Sequence, residues 1–493
     1  MESDPSEKSP STEKVPKSDP VPKPRRRWLK VAVVLLVVLP ALLLLGGRIA
    51  LSKALTPERL VTELETQLNV RASIESIDVS LLSAPARIRL EKVQIGHRDK
   101  VANDAEALVD RSAIPTPVLE FAYVEMEVSL WSMLGGEVKV QRVTLGPGAV
   151  LGRVRGNGEL TLSSLFEEPQ IVNGKPNPKL NKTESVSSSG ATTESDDGPS
   201  FSFTGLEEFA WEKTQMKIEI NGRKTLLDGT DLTLRVGEVT VGEEARLVEQ
   251  TIPLKITGVL RVVEAKTEFQ QARFELDGDA DLMVDAEGEL SEVKLALRFG
   301  QGSTISVLPT LEKLKEKVRK FRDTGIDIED RLADSVTFPE GGSLLTAHLK
   351  EGVITTSEPF HAQYGDFDVF ALSGGYVNIG NNDHFFDLRL PANQELSDYV
   401  MGQLRDKAGM IPTEKTRDQF LADVQESLYR DGLVELRATS KNDVSDPDVD
   451  ITNDLPKPEK YLRGMLDELG VGGAEQEQLE EVGKSLLEGL FKK

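Results

Sequence analysis

Ile88-Arg89-Leu90-Glu91-Lys92-Val93-Gln94-Ile95 reads apolar, polar, apolar, two polar, apolar, polar, apolar. Strict alternation is the period of a strand with one apolar and one wetted face. A doubled polar pair that leaves the facing intact beyond it is the mark of a β-bulge. The octet returns about fifty residues later as Val138-Lys139-Val140-Gln141-Arg142-Val143-Thr144-Leu145. It returns again, stretched by one apolar step, as Leu232-Thr233-Leu234-Arg235-Val236-Gly237-Glu238-Val239-Thr240-Val241. Three long, bent strands of one kind imply a sheet with a single apolar side.

Further alternating runs follow at 255–263, 273–278, 280–288, 293–299, 343–353, 367–379 and 433–439, separated by Gly, Asp and Asn turns. Their close spacing predicts antiparallel meanders, because a parallel crossover needs a dozen or more residues. Helical spacing occurs in four places. Residues 56–69 place Leu60, Val61, Leu64 and Leu68 on one face, with Thr56 as cap and Pro57 in the first turn. Leu308, Leu311, Leu314, Val318 and Phe321 form a second stripe, and 394–408 and 414–429 form a helical pair. The last, 476–491, aligns Leu479, Val482, Leu486, Leu487, Leu490 and Phe491. The expected fold class is mainly β with helical segments (α+β), a large, curved, mostly antiparallel sheet that is groove-like or partly closed.

Upstream, 1–24 is Ser, Pro, Lys and Glu with little to bury, a composition that stays disordered. Arg25, Arg26, Arg27, Trp28 and Lys30 precede an uncharged apolar run from Val31 to Gly47, closed by Arg48. At about 1.5 Å per residue the run spans roughly 25 Å, and snorkelling Lys30 and Arg48 with an interfacial Trp28 complete a transmembrane anchor over 25–48. Pro40 is tolerable in such a helix. A cleaved signal peptide is the competing reading, but its apolar region is shorter and Gly46-Gly47-Arg48-Ile49-Ala50 is a poor cleavage site. Bases before the run place the N-terminus in the cytoplasm and the bulk of the chain across the membrane. The layout is then a tail (1–24), an anchor (25–48), a first β unit (49–166), a polar linker (167–200), a second β unit with inserted helices (201–455) and C-terminal amphipathic helices (456–493).

The chain of 493 residues has 82 acids, 59 bases, four histidines and no cysteine. Residues 1–48 hold nine of the bases and five of the acids, so the exported remainder carries 50 against 77, a net −27. That balance argues against a nucleic-acid surface, which needs a basic face. Absence of cysteine removes disulfides, zinc ribbons and thiolate catalysis, and suits an oxidising bacterial periplasm. No nucleophile elbow, phosphate loop or zincin helix is present. His97, His348, His361 and His384 stand apart from one another, and no cofactor or metal is expected. Asp443, Asp446, Asp448, Asp450 and Asp454 lack the glycine and distal glutamate of a calcium loop and read as a solvated strand face. Glu207 and Glu208, or Asp277, Asp279 and Asp281, carry the weakest reading, a glycosidase pair. Asn181-Lys182-Thr183 matches a glycosylation sequon by pattern alone.

The membrane helix, the short helix at 56–69 and the strands from Ile74 to Ile95 resemble the start of AsmA-family proteins, themselves similar to the chorein-type start of bridge-like lipid transport proteins. Residues 128–140, the strand and turn from Val143 to Gly158, and later 344–352 and 372–379 resemble further parts of that family, whereas 200–330 match only by strand periodicity. The resemblance implies an inner-membrane protein projecting a curved β-groove into the periplasm, non-enzymatic, acting in phospholipid movement or outer-membrane biogenesis. Candidate lining positions are Ile88, Leu90, Val93 and Ile95; Val138, Val140, Val143 and Leu145; Leu232, Leu234 and Val236; and Val293, Leu295, Leu297 and Phe299. A closed core under a helix is the alternative for the same residues. A scaffold recruiting envelope proteins through sheet edges, and an anchored hydrolase, are the competing functions.

Overall fold

The computed structural model describes residues 56–80, 85–98, 114, 116–129, 137–154, 160–167, 169–172, 175–177, 202–220, 225–242, 247–319, 321–322, 325–411, 413–444, 447–453, 456, 461 and 468. The anchor with Trp28, Lys30, Pro40 and Arg48, the tail, the sequon, Asp446, Asp454 and the stripe at 476–491 lie outside them. Among the described residues no helix is long and apolar enough to cross a membrane.

The chain is mostly strand with few helices. Helix α1 (Pro57–Gln67) starts where Thr56 Oγ1 accepts the Arg59 amide at 3.4 Å, and its stripe Leu60, Val61 and Leu64 is buried. Strands β1 (Val70–Ser73) and β2 (Ser76–Ser80) both lie along β3 (Ala86–His97). Next come β4 (Leu119–Val128), and then β5 (Glu137–Leu145) and β6 (Gly148–Val154), which share the far side of β4. A 3-10 turn (Thr161–Phe166) and a separate ribbon of β7 (Ile171–Val172) and β8 (Lys175–Pro176) follow.

Strand β9 (Ser202–Ile220) runs parallel to β5 and β6, which departs from the antiparallel rule of the rest. A parallel neighbour requires a long crossover, and the polar stretch after β6 supplies that length. The sheet thus continues from the strands before 167–200 to those after it.

The ladder then proceeds antiparallel through β10 (Thr225–Val236), β11 (Val239–Thr240), β12 (Gln250–Glu264), β13 (Gln270–Val284), β14 (Leu290–Phe299) and β15 (Thr304–Ser306). Helix α2 (Leu311–Arg319) and a 3-10 turn (Glu329–Arg331) interrupt it. It resumes with β16 (Ser335–Thr337), β17 (Ser343–Lys350), β18 (Val353–Thr356), β19 (Phe360–Tyr364), β20 (Phe367–Ala371), β21 (Tyr376–Asn378) and β22 (Asp383–Pro391). After α3 (Gln394–Ala408) and α4 (Glu414–Leu428), β23 (Tyr429–Arg430), β24 (Leu433–Asp443) and β25 (Asp448–Ile451) finish the sheet. All but the β7–β8 ribbon belong to one 23-stranded sheet. No described pairing joins β1 or β2 to β25, and about fifteen rows at ~4.8 Å make the sheet roughly 67 Å long.

One line of irregularities crosses this sheet in register. Lys92 (φ 49°) interrupts β3, Lys213 (φ 43°) interrupts β9 and Asp231 (φ 50°) interrupts β10, while Gly258 (φ 140°) lies opposite in β12. Between them the Gly146 amide, at the break from β5 to β6, donates to the Tyr123 carbonyl at 2.8 Å. Further along, the same line becomes chain breaks between β14 and β15, β16 and β17, β18 and β19, and β20 and β21. Bulges bend strands, and bulges in register fold the whole sheet lengthwise. Two wings result, one holding β2, β5, β11, β14, β17, β18 and β21, the other β1, β6, β15, β16, β19 and β20. The fold closes toward the apolar face. Phe121 and Trp211, from opposite sides of the line, meet edge to face at 5.9 Å, and a Cβ on Gly229 would sit 2.4 Å from Leu232 Cδ1.

Candidate functional site: an uncovered apolar trough

Hydrogen-bonded register dictates that one row of side chains follows another across the inner face. One row runs Leu282, Val293, Leu349, Ile354, Val377 and His384; the next runs Leu254, Ala280, Leu295, Ala347 and Thr356, and the one after it Ile256, Gly278, Leu297 and Leu345. The side chain repeat of two keeps each row on one face. The octets supply the rows at the start of the sheet: Ile88 faces Met126, Leu90 faces Val124, Val143 faces Phe209 and Leu145 faces Trp211.

The candidate lining positions divide by cover. Ile88, Leu90, Val93, Ile95, Val140, Val143, Leu145 and Val236 belong to a closed core with α1 and the Leu162 and Leu165 side chains of the first 3-10 turn. Val143 and Leu145 have no exposure at all. Val138 pairs with Phe203 in the same strand row. Leu232, Leu234, Leu295, Leu297 and Phe299 are only half-buried, and Val293 is buried. Other half-buried members of this floor, Leu276, Leu345, Leu349 and Ile354, are not among the candidate positions, although the first three lie in alternating runs.

The described helices pack elsewhere: α1 on β1, α2 beside β25, and α3 and α4 on each other and on β24. A second core, built from Phe367, Leu396, Val400, Leu404, Phe420, Val424 and Leu436, caps the second wing at the β25 end. Ile252 and Val284 on β12 and β13 belong to the first core and Leu254 and Leu282 pack against it, and no described helix lies over the rest of the inner face of β12 to β18. Its line of folding is filled by four phenylalanines, Phe274, Phe299, Phe338 and Phe360, with ring centroids 5.3 to 5.8 Å apart. Among the described residues the trough is closed at the β1 end, bridged on one wing at the β25 end, and without a covering helix in the middle.

Polar groups on this face are few. Tyr364 Oη and Trp211 Nε1 are buried without a hydrogen-bond partner among the described residues, and burial pushes the Tyr364 phenol up to about 12, with Asp334 adding to the rise. His384 ends its row: its Nδ1 lies 2.6 Å from the Asn442 carbonyl and its Nε2 2.8 Å from Ser440 Oγ. Both ring nitrogens are engaged, which leaves no free lone pair for a metal.

The outer face is a ladder of ion pairs. Arg89 binds Glu91 at 2.6 Å and Glu125 at 3.2 Å, Arg142 binds Glu208 at 2.7 Å, and Arg153 binds Glu219 at 2.7 Å. The hydrogen bond that Arg89 donates to Glu91, with that to Glu125, raises its guanidinium further above its ordinary value. The carboxylates of the glycosidase reading sit here: Glu207 lies 3.7 Å from Lys139, and Asp277, Asp279 and Asp281 are exposed in a row along β13. Asp448 and Asp450 are held by Lys317 at 3.6 and 2.6 Å, and the Lys317 hydrogen bond lowers the Asp450 carboxyl. His348 lies 3.2 Å from Glu292 and His361 2.9 Å from Asp368, each with a single carboxylate. No group of three or more metal-ligating side chains occurs among the described residues.

Glu435 differs from these surface pairs. Burial alone would raise its carboxyl, and hydrogen bonds from Arg389 and Arg437 outweigh that, so it lies below its usual range. Its role is to lock β22 to β24 beneath the helical cap.

No family model, curated protein or solved structure matches the chain.

Proposed function

We propose that this chain is a non-enzymatic, membrane-anchored carrier of lipid, with phospholipid acyl chains lying along the inner face between the two closed ends of the sheet. The single observation behind this reading is the set of half-buried Leu295, Leu297, Phe299, Leu345, Leu349 and Ile354 on the inner face of β14 to β18 with no described helix above them. Contiguous apolar surface of this kind marks a binding site. Each methylene taken from water onto it is worth about 0.8 kcal/mol, so one acyl chain of ordinary length has ample driving force.

The apolar run at 25–48 supplies the anchor, in the bacterial inner membrane with a cytoplasmic N-terminus. Eight residues separate Arg48 from Pro57, at most about 29 Å of extended chain, so α1 and the β1 end of the trough stay close to the bilayer. The periplasmic setting rests on the positive flank, the missing cysteines and the AsmA-like pattern. The trough's rows of aliphatic side chains, with no enclosed set of acids and no nucleophile with its base among the described residues, favour carriage over hydrolysis.

Native mass spectrometry of the full-length protein released from gentle detergent tests this. The expected result is co-purified phospholipid that is lost when Leu297 and Leu345 are both changed to Asp. Consistently lipid-free protein that captures other envelope proteins by crosslinking through β2 or β25, at the two ends of the described sheet, would replace this reading with the scaffold.

A further inference from the structure

We infer that the line of folding is a hinge between β13 and β22, latched shut by the Phe299 ring, and that its opening admits the lipid. The identity of the occupant rests on the lipid reading above, whereas the hinge follows from strand pairing alone.

Strands β12 and β13 run uncut across the line of folding, paired from Gln250↔Val284 to Val263↔Gln270. Beyond them β13 carries two partners, β14 along 276–284 and β15 at Ala272 and Arg273. From there the sheet forks into two ladders, β14, β17, β18 and β21 on one wing and β15, β16, β19 and β20 on the other. The ladders rejoin on β22, which pairs with β21 at 383–385 and with β20 at Leu388 and Arg389. Among the described residues no strand pairing joins one ladder to the other.

Within the fork the wings are linked by four short loops, 300–303, 338–342, 357–359 and 372–375, which hold Gly300, Gly302, Gly341, Gly342, Gly374 and Gly375. Gly341 and Gly374 both stand at φ +86°, and a Cβ on either would meet nothing within 4 Å, so the backbone there is free to turn. Rotation of one wing on the other is absorbed in these loops and breaks no ladder hydrogen bond, which is the mechanics of a hinge. Before β13 the line lacks this freedom, because β9, β10 and β12 cross it as continuous paired strands.

Side chains hold the hinge closed. Phe299, at the end of β14, packs on Phe274 at 5.3 Å and edge to face on Phe360, the first residue of β19, at 5.7 Å, so its ring bridges the two wings. Phe338 stacks on it at 5.6 Å from the second loop. Nearby, the buried Ser343 hydroxyl of one wing donates to the His361 carbonyl of the other. Swinging the wings apart parts Phe299 from Phe360 and wets both rings, a cost that an acyl chain inserted beside them removes. Lipid therefore favours the open setting and an empty trough the closed one.

The cysteine-free sequence allows spin labels at chosen pairs. Leu308→Cys with Glu351→Cys places a label on the exposed outer edge of each wing across the fork, and Glu268→Cys with Glu287→Cys brackets the uncut β13 as a fixed reference. Pulsed dipolar electron spin resonance reads both distances in full-length protein held in amphipol, before and after addition of palmitoyl-oleoyl phosphatidylglycerol. The 308/351 distribution should be at least twice as wide as the 268/287 one. Phe299→Ala should displace its mean, added lipid should displace it in the same direction, and the reference should not move. If circular dichroism shows that Phe299→Ala does not fold, Phe360→Leu takes its place with the same expectation. Equal widths for the two pairs, or a variant that moves both distances or neither, would overturn the hinge. A 308/351 distance unmoved by lipid that native mass spectrometry shows to be bound would overturn the inference and leave the lipid reading in place. Displacement by the variant with no lipid ever recovered sinks the lipid reading and leaves the hinge.

Discussion

Leu145 and Leu297 are the same residue on the same face of the same sheet, and they differ in what lies above them. Leu145 has no exposure and packs in the core beneath α1; Leu297 is half-buried in the open stretch. Changing either to Ala removes three carbons. At about 0.8 kcal/mol per methylene the transfer loss for a fully buried leucine is about 2.4 kcal/mol, and the cavity left in a closed core brings the total to about 3 to 4 kcal/mol. Leu297 forfeits about half the transfer loss and leaves a dent open to water rather than a cavity, so the expected cost is about 1 kcal/mol. Urea unfolding followed by far-ultraviolet circular dichroism reads both, with the Leu145→Ala midpoint falling at least twice as far as that of Leu297→Ala. Equal losses near 3 kcal/mol would refute the reasoning, because they would mean that the middle of the face is packed like the ends.

The line of folding makes its own prediction: Gly258→Ala places a Cβ 2.9 Å from Leu232 Cα and 3.0 Å from the Asp231 carbonyl at φ +140°, and should cost about 2 to 3 kcal/mol in thermal unfolding. Gly341→Ala, at φ +86° with nothing within 4 Å, should cost about 1 kcal/mol by the same measurement. Glu435→Gln should cost about 1 to 3 kcal/mol at pH 7. Its native carboxyl titrates below the unfolded value of about 4.3, so its contribution is full above that value and drains as pH falls through the lower native one. The parent chain should therefore lose more stability than Glu435→Gln between about pH 5 and pH 3 in acid unfolding curves. Lys317→Ala should change stability by less than about 1 kcal/mol, since both partners of its pairs with Asp448 and Asp450 are solvent-accessible.

The strands that alternate cleanly are legible in the sequence. Lys92 sits at the doubled polar pair of the first octet, and Gln141 is skipped between Glu127↔Arg142 and Val128↔Val140, as its octet requires. Helix bounds are readable where caps and stripes agree, as at Thr56 and at Gln394–Ala408. Strand β9 escapes such a reading because bulges near Gly205 and Lys213 shift its facing twice, so its alternation is local only. Residues 367–379 read as one strand and form two, since the line of folding cuts through Leu372-Ser373-Gly374-Gly375. Leu308 has the spacing of the second helical stripe but precedes α2 and is exposed. The parallel seam at β9 has no local signature either, being a long-range choice of partner.

The face itself is visible in the alternation, but not whether it is covered. Val143 and Leu297 occupy equivalent places in the pattern, and only the position of α1 and the 3-10 turn separates core from floor. Cover is a property of what the rest of the chain does, and a period of two contains no information about it.

The measurement that tests the central claim most directly is a photocrosslinking scan along β14 in full-length protein reconstituted with radiolabelled phospholipid. An open, lipid-bearing trough predicts lipid adducts from a photoreactive residue at 295, 297 and 299 and none at 294, 296 and 298. Adducts without that alternation, or none at the odd positions, would contradict it.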